Sequence, residues 1–138
     1  MNYQISEAHG EPVETAVAAI LSESSRSTGF PYAPEPVKLK IEEAGQIIAG
    51  LIGFTLWEWL YIETLAVDVN HRGQGLGRRL VLEAERIARA RNCHAVWVDT
   101  FSFQAPEFYS RLGYTPFGTL PDFPADQQRI FFRKSLTE

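Results

Sequence analysis

Leu65-Ala66-Val67-Asp68-Val69-Asn70-His71-Arg72-Gly73-Gln74-Gly75-Leu76-Gly77-Arg78-Arg79-Leu80 reads as an apolar strand, a glycine-rich loop and the start of a helix. The helical pattern continues to about Arg91, with Leu76, Leu80, Ala84, Ile87 and Ala88 sharing one face. Glu83, Glu85, Arg86 and Arg89 are expected on the solvent face, with Glu85 paired to Arg89 one turn on. Asn92 suits a left-handed stop.

Glycine at 73, 75 and 77 lets the backbone approach a ligand closely and aim successive N–H groups at one point. Because those groups open a helix, its dipole and unpaired donors favour an anion there. Arg72, Arg78 and Arg79 add guanidinium groups suited to phosphate oxygens. The stretch therefore reads as a diphosphate cradle, the plainer alternative being a flexible connection. A P-loop would need Gly-Lys-Ser/Thr, but Gly77 is followed by two arginines. A dinucleotide fingerprint needs G-x-G-x-x-G with a ribose-binding acid further on. Asp99 could stand for the acid, but the loop spells G-x-G-x-G and no second βαβ half follows.

Outward from the loop, Asn2–Ser6 reads as a short strand and Pro12 to about Ser24 as an amphipathic helix. Ser25–Pro36, with Gly29 and three prolines, reads as a loop. Val37–Glu43, Gln46–Trp57 and Leu60–Asp68 form an antiparallel meander, turning at Ala44-Gly45 and Glu58-Trp59, with Gly50 or Gly53 marking a bend or bulge. After the loop and helix come a parallel strand at His94–Thr100 and a short helix at Ala105–Leu112 closed by Gly113. Tyr114–Gly118 and Gln128–Lys134 are expected as a final hairpin. The expected fold class is α/β, a mixed, mostly antiparallel central sheet flanked by helices, in a single domain spanning 1–138.

Composition narrows the function classes. The 138 residues suit one core, and 45% hydrophobic with 22% charged residues is ordinary for a soluble globular protein. No apolar run approaches the roughly 20 residues that span a bilayer, and the N-terminus lacks the basic and apolar regions of a signal peptide. A cytoplasmic protein with no membrane association is the expectation. One cysteine and three scattered histidines exclude an internal disulfide and argue against a zinc site, so no metal is expected. A net charge of −4 gives no nucleic-acid footprint and is compatible with a cationic small substrate.

Arg72-Gly73-Gln74-Gly75-Leu76-Gly77 resembles the R/Q-x-x-G-x-G/A signature of the GNAT (GCN5-related N-acetyltransferase) superfamily, and Leu65-Ala66-Val67-Asp68 looks like its fourth strand. Ala105-Pro106-Glu107-Phe108-Tyr109-Ser110-Arg111-Leu112-Gly113-Tyr114 is similar to the family's A-x-x-F-Y-x-x-x-G-F/Y segment. The resemblance covers roughly residues 60 to 118 and implies an acyltransferase fold that takes acetyl-CoA as acetyl donor and moves the acetyl group to a primary amine, by direct transfer in a ternary complex.

It implies that Arg72, Gly73, Gln74, Gly75, Leu76, Gly77 and Arg78 hold the pyrophosphate, and that backbone groups of Leu65, Ala66 and Val67 pair with the pantetheine arm and supply an oxyanion donor. A fork between the family's fourth and fifth strands makes room for this. Tyr109 matches the family's general acid beside the cofactor sulfur; the plainer alternative is an aromatic core residue of the short helix. Glu63 is the candidate base, directly or through water, and with undistorted alternation it shares a face with Tyr61 and Leu65. If buried, its carboxyl would be raised toward base chemistry. Ser102 stands where many members carry a cofactor-side asparagine, with Gln104 as a substitute.

Phe30 and Tyr32 border the acceptor region of similar proteins, and Trp57, Trp59 and Tyr61 are candidates for an aromatic wall that attracts a cationic amine. The expected partner is a small-molecule or peptide amine, and similar proteins commonly form homodimers. Two alternatives stay open: a non-catalytic acyl-CoA-binding or sensing module, and an aminoacyl-tRNA acetylating toxin. The latter calls for a basic surface that a net charge of −4 does not supply.

Overall fold

A computed structural model describes residues 2–10 and 12–137. The chain divides into two compact units, Met1–Ala33 and Pro34–Glu138. The first holds α1 (Pro12–Ser27), with proline in its first turn, Glu14 near the N-terminus and Arg26 near the C-terminus, each where the dipole favours it. Val13, Val17, Ile20 and Leu21 form the expected apolar stripe but are 40–70% exposed. The strand expected at Asn2–Ser6 does not form, and Tyr3 and Ile5 are exposed; alternation over five residues does not by itself make a strand.

The second unit is built on a six-stranded sheet of β1 (Glu35–Glu43), β2 (Gln46–Leu56), β3 (Trp59–Val67), β4 (Ala95–Phe101), β5 (Thr115–Pro121) and β6 (Gln128–Ser135). Their spatial order is β1-β2-β3-β4-β6-β5, parallel at β3/β4 and antiparallel elsewhere. The final hairpin is therefore entered through its second strand. β1 alternates as its sequence dictates, with Val37 buried and Lys38, Lys40 and Glu42 on the other face.

The β1–β2 turn falls at Ala44-Gly45 (φ 52° and 81°) and the β2–β3 turn at Trp57-Glu58 (φ 49° and 69°), one residue earlier than the sequence suggests. Paired left-handed residues match the twist of two-residue hairpins. Asn92, also left-handed at φ 65°, ends the helix after the loop as expected.

That helix, α2 (Leu76–Ala90), lies on the sheet face that carries Val37, Ala49, Leu51, Leu60, Ile62, Val96 and Val98. It buries Leu76, Leu80, Val81, Ala84 and Ala88, and each large side chain so buried stabilises the fold by about 1.5–3 kcal/mol. Glu85 corrects the sequence reading, because it does not face solvent. It is 1% exposed, accepts from Tyr114 Oη at 2.7 Å, and meets Lys134 Nζ at 3.1 and 3.2 Å. The outer pair is instead Glu83 with Arg86, at 2.6 and 2.9 Å. A buried carboxylate needs such partners; burial, then Glu85's charge and hydrogen bond, hold the Tyr114 phenol far above its ordinary range. α3 (Pro106–Arg111) then places Phe108 and Tyr109 against the same core.

Candidate functional site

The β3/β4 ladder pairs Trp59 with Ala95 through Ile62 with Val98 and then stops. Beyond it β3 stays with β2 as far as Val67, while β4 stays with β6 as far as Phe101. The sheet therefore forks between Glu63 and Asp99.

Glu63 is itself the cause of part of that geometry. Thr64 pairs with Ile52 but Ile62 with Gly53, so Glu63 is an extra residue, a β-bulge. Glycine is required opposite it: a Cβ on Gly53 would lie 2.2 Å from the Tyr61 carbonyl oxygen. The bulge reverses the alternation expected of Glu63. Leu60 and Ile62 face the core before it, whereas Leu65 and Val67 pack on the core after it, so Tyr61 and Leu65 lie on opposite faces. Glu63 is exposed rather than buried, close enough to Tyr61 for its charge to raise that phenol.

Strand alternation also sorts the backbone of the fork. The Asp68 N–H donates to Ile48 O at 2.8 Å, so Ala66 and Thr64 likewise direct N–H groups at β2. Leu65 and Val67 direct theirs into the fork, where Val67 O accepts from Arg72 Nε at 3.3 Å.

At the top of β3 a short 3₁₀ turn (Val69–His71) leads to the glycine loop. Gly73 and Gly75 are left-handed (φ 78° and 77°), conformations that other residues adopt only with strain. Gly77 is needed for a different reason, since a Cβ there would meet Phe108 at 3.3 Å and Val67 at 3.7 Å. The first helical bond of α2 is Arg79 N–H to Gly75 O, and Gly75 offers no side-chain cap. Among the described residues nothing accepts from the N–H groups of Gly73 through Arg78. Six successive donors thus stand at a helix N-terminus, flanked by exposed Arg72, Arg78 and Arg79, a concentration of positive potential of the kind that suits an anion. His71 steadies the base of the loop: Nδ1 is 3.0 Å from Asp68 and Nε2 3.0 Å from Glu43. Hydrogen bonds to those two carboxylates raise the imidazole's pKa, and the bond from His71 lowers that of Asp68.

Tyr109 is buried, edge-on to Phe108 at 5.0 Å and to Tyr114 at 5.8 Å. Burial first, then the charge of Asp99, push its phenol up to about 12, so it is protonated at neutral pH. Asp99, which the sequence reading linked only to a dinucleotide ribose, sits at the mouth of the fork. Arg129 grips it bidentately at 3.1 and 2.9 Å, and the Tyr61 hydroxyl donates to it at 3.3 Å. The pairing joins residues 30 apart, and no local pattern announces it.

The other candidates are scattered. The Ser102 hydroxyl donates to Gln127 and accepts from the Gln128 N–H, both at 2.8 Å, tying β4 to β6. Gln104 accepts from Thr100 and from the Phe101 N–H. Trp57 is exposed on the hairpin turn, and Trp59 is edge-on to His94 at 5.5 Å. Trp59 also lines a shallow cavity of about 400 Å³ with Trp97, Phe117, Phe131 and Arg133, at the end of β3 away from the fork. Of the three wall residues only Tyr61 stands beside the fork, its ring stacked on Trp97 at 4.0 Å. Phe30 and Tyr32 belong to the first unit, 65% and 45% exposed. Among the described residues no three potential metal ligands gather, and no helix is long and apolar enough to cross a membrane.

The fold is shared with acetyltransferases of known structure. A crystal structure of an acetyltransferase from Bacillus cereus ATCC 14579 matches with a TM-score of 0.81 at 30% identity, covering 95% of this chain and 97% of that one. Another, described as an acetyltransferase from Agrobacterium tumefaciens, gives 0.85 at 28%, covering 98% and 99%. In sequence, the blasticidin-S acetyltransferase of Streptomyces morookaense is 45% identical over 83 residues, 59% of this chain and 61% of that protein. The matched stretch thus spans about three fifths of that relative's length. The model of the acetyltransferase (GNAT) family matches residues 6–114. The chain belongs to that family.

Proposed function

We propose that the protein is an N-acetyltransferase that moves the acetyl group of acetyl-CoA to a primary amine within a ternary complex, residues 1–138 acting as one domain. The observation that carries this reading is the run of free N–H groups from Gly73 to Arg78 opening beside the fork. Acetyl-CoA would supply the acetyl group as a thioester, and the residues present fit its pyrophosphate: six donors, two left-handed glycines and three exposed arginines.

In this reading the fork-facing N–H groups of Leu65 and Val67 bind the extended arm, and one of them stabilises the negative charge that develops on the carbonyl oxygen. Ala66 contributes by keeping β3 bonded to β2. Tyr109, protonated across the physiological range, donates a proton or hydrogen bond to the departing thiolate. Glu63 is exposed at the bulge, so it serves as base through water, taking the proton lost by the attacking ammonium. Tyr61 is the aromatic that meets the amine, while Trp57 and Trp59 lie further along the same hairpin, away from the fork. Ser102 acts through backbone order, since its hydroxyl proton is committed to Gln127 and its oxygen already receives the Gln128 N–H.

The acceptor is a small-molecule amine, and the name of the Streptomyces morookaense relative makes blasticidin S the first to offer. Calorimetric titration with acetyl-CoA, NAD and ATP tests the cradle. Saturable binding of acetyl-CoA alone, lost in Gly75→Val, is the expected result; binding of NAD or ATP instead would overturn the assignment. Tyr109→Phe should then lower turnover at least about tenfold with acetyl-CoA affinity nearly unchanged. Full activity would remove Tyr109 from the mechanism.

A further inference from the structure

We infer that Asp99 is a positioning residue for the acceptor, fixing the Tyr61 hydroxyl so that its oxygen receives an N–H of the incoming amine. The inference rests on the acetyltransferase reading and adds to it Asp99 and a role for the Tyr61 hydroxyl.

Tyr61 and Trp97 are the last stacked pair below the fork, and Ile62 with Val98 is the last ladder pair. Alternation puts Tyr61 and Asp99 on the sheet face opposite α2, since Leu60, Ile62, Val96 and Val98 all face the core. The Tyr61 ring is clamped between Trp97 at 4.0 Å and the edge of Phe54 at 5.5 Å, so its oxygen has little freedom. Asp99 is equally constrained. Its side chain is 11% exposed, and its Arg129 partner sits over the rings of Phe101, Phe123 and Phe131 at 5.2–5.9 Å.

A hydroxyl has one proton and two lone pairs. The Tyr61 hydroxyl donates to Asp99 Oδ2 at 3.3 Å, long for such a bond, and among the described residues it is the one side-chain acceptor recorded for that hydroxyl. Burial, then Asp99's charge and hydrogen bond, raise the phenol's pKa, so the proton stays on oxygen. What remains for the fork is a fixed acceptor, with the Glu63 carboxylate close enough to act on the same phenol. Asp99 is neutralised by Arg129 and so does not act as a base; it orients. The constellation favours acceptors that arrive with an N–H to donate, and a nitrogen without a hydrogen finds no such partner there.

The test is a double-mutant cycle on acetyl transfer, read by thiol release, with a panel of primary amines headed by blasticidin S. Tyr61→Phe keeps the stacked ring and removes only the oxygen. It should raise the KM for the amine about tenfold, with kcat less affected and acetyl-CoA affinity unchanged by calorimetry. Asp99→Asn should raise the same KM in the wild-type background and add nothing in the Tyr61→Phe background. Arg129→Lys, which keeps the charge, guards against misfolding of Asp99→Asn and should give a smaller rise that also vanishes without the Tyr61 hydroxyl. An unchanged KM in Tyr61→Phe, or an Asp99 effect that persists in that background, overturns the inference alone. No turnover of any amine by the wild type overturns the acetyltransferase reading and this inference with it.

Discussion

Replacing Gly53 with alanine probes the link between one missing methyl group and the shape of the fork. The added carbon would lie 2.2 Å from Tyr61 O, 3.2 Å from Tyr61 C and 3.3 Å from Ile62 Cα, all of them backbone. No side chain can swing aside, so β2 and β3 must separate by about 1 Å where the bulge lies. Losing two ladder hydrogen bonds at about 0.5–1.5 kcal/mol each, plus residual strain, gives a cost of about 2–3 kcal/mol. For a domain of this size that lowers Tm by about 10 °C. Gly50→Ala is the internal control, because its added carbon meets only Leu39 O at 3.1 Å, a contact relieved by a few tenths of an ångström. Urea unfolding of both variants, followed by circular dichroism, measures the difference. Gly53→Ala should also depress acetyl transfer beyond its effect on stability, because the displaced strand carries Glu63 and Leu65. A Gly53→Ala variant destabilised by no more than Gly50→Ala would refute the reasoning from the bulge.

Two further perturbations test the core and the loop. Glu85→Ala leaves Lys134 and Tyr114 facing each other without their carboxylate and should cost about 3–5 kcal/mol in urea unfolding, whereas Glu85→Leu with Lys134→Met should recover most of it; a double variant as unstable as the single one would contradict this. The His71 contribution has a defined pH sign. Its folded pKa is raised above the ordinary 6.5, so its stabilisation is complete below that value and is lost as pH rises through the folded pKa. Asp68, lowered from 3.8, contributes above that value and loses its share as pH falls through the depressed one. His71→Asn should therefore remove a decline in urea midpoint on the alkaline side of pH 6.5, and an identical profile in both proteins would exclude a stabilising role for the His71 contacts with Asp68 and Glu43.

The features legible in the sequence were those encoded locally. Gly73, Gly75 and Gly77, the apolar stripe of α2 and the stop at Asn92 each declare themselves within a few residues, and the meander follows from alternation. Glu85 was misplaced because helical periodicity says which face a residue shares but not whether a distant lysine and tyrosine wait there. The face assigned to Glu63 failed because one extra residue reverses every side chain beyond it; Gly53 was the only local trace. The insertion of β6 between β4 and β5, and the meeting of Asp99 with Arg129, depend on long-range pairing that no spacing rule contains. The strand expected at Asn2–Ser6 shows the converse, a fitting local pattern that does not by itself make a strand.

The fork has a consequence for the chain's behaviour in a crowded solution. From Leu65 to Val67 the sheet presents an exposed edge in its middle, the kind of backbone row that recruits foreign strands. Sheets usually defend such rows at their rims with bulges and charges. Here the same defences stand at the fork: a bulge carrying the Glu63 carboxylate at its mouth, and at its far end Arg72, whose guanidinium already occupies Val67 O. A foreign strand entering the fork would therefore meet a charge at each end.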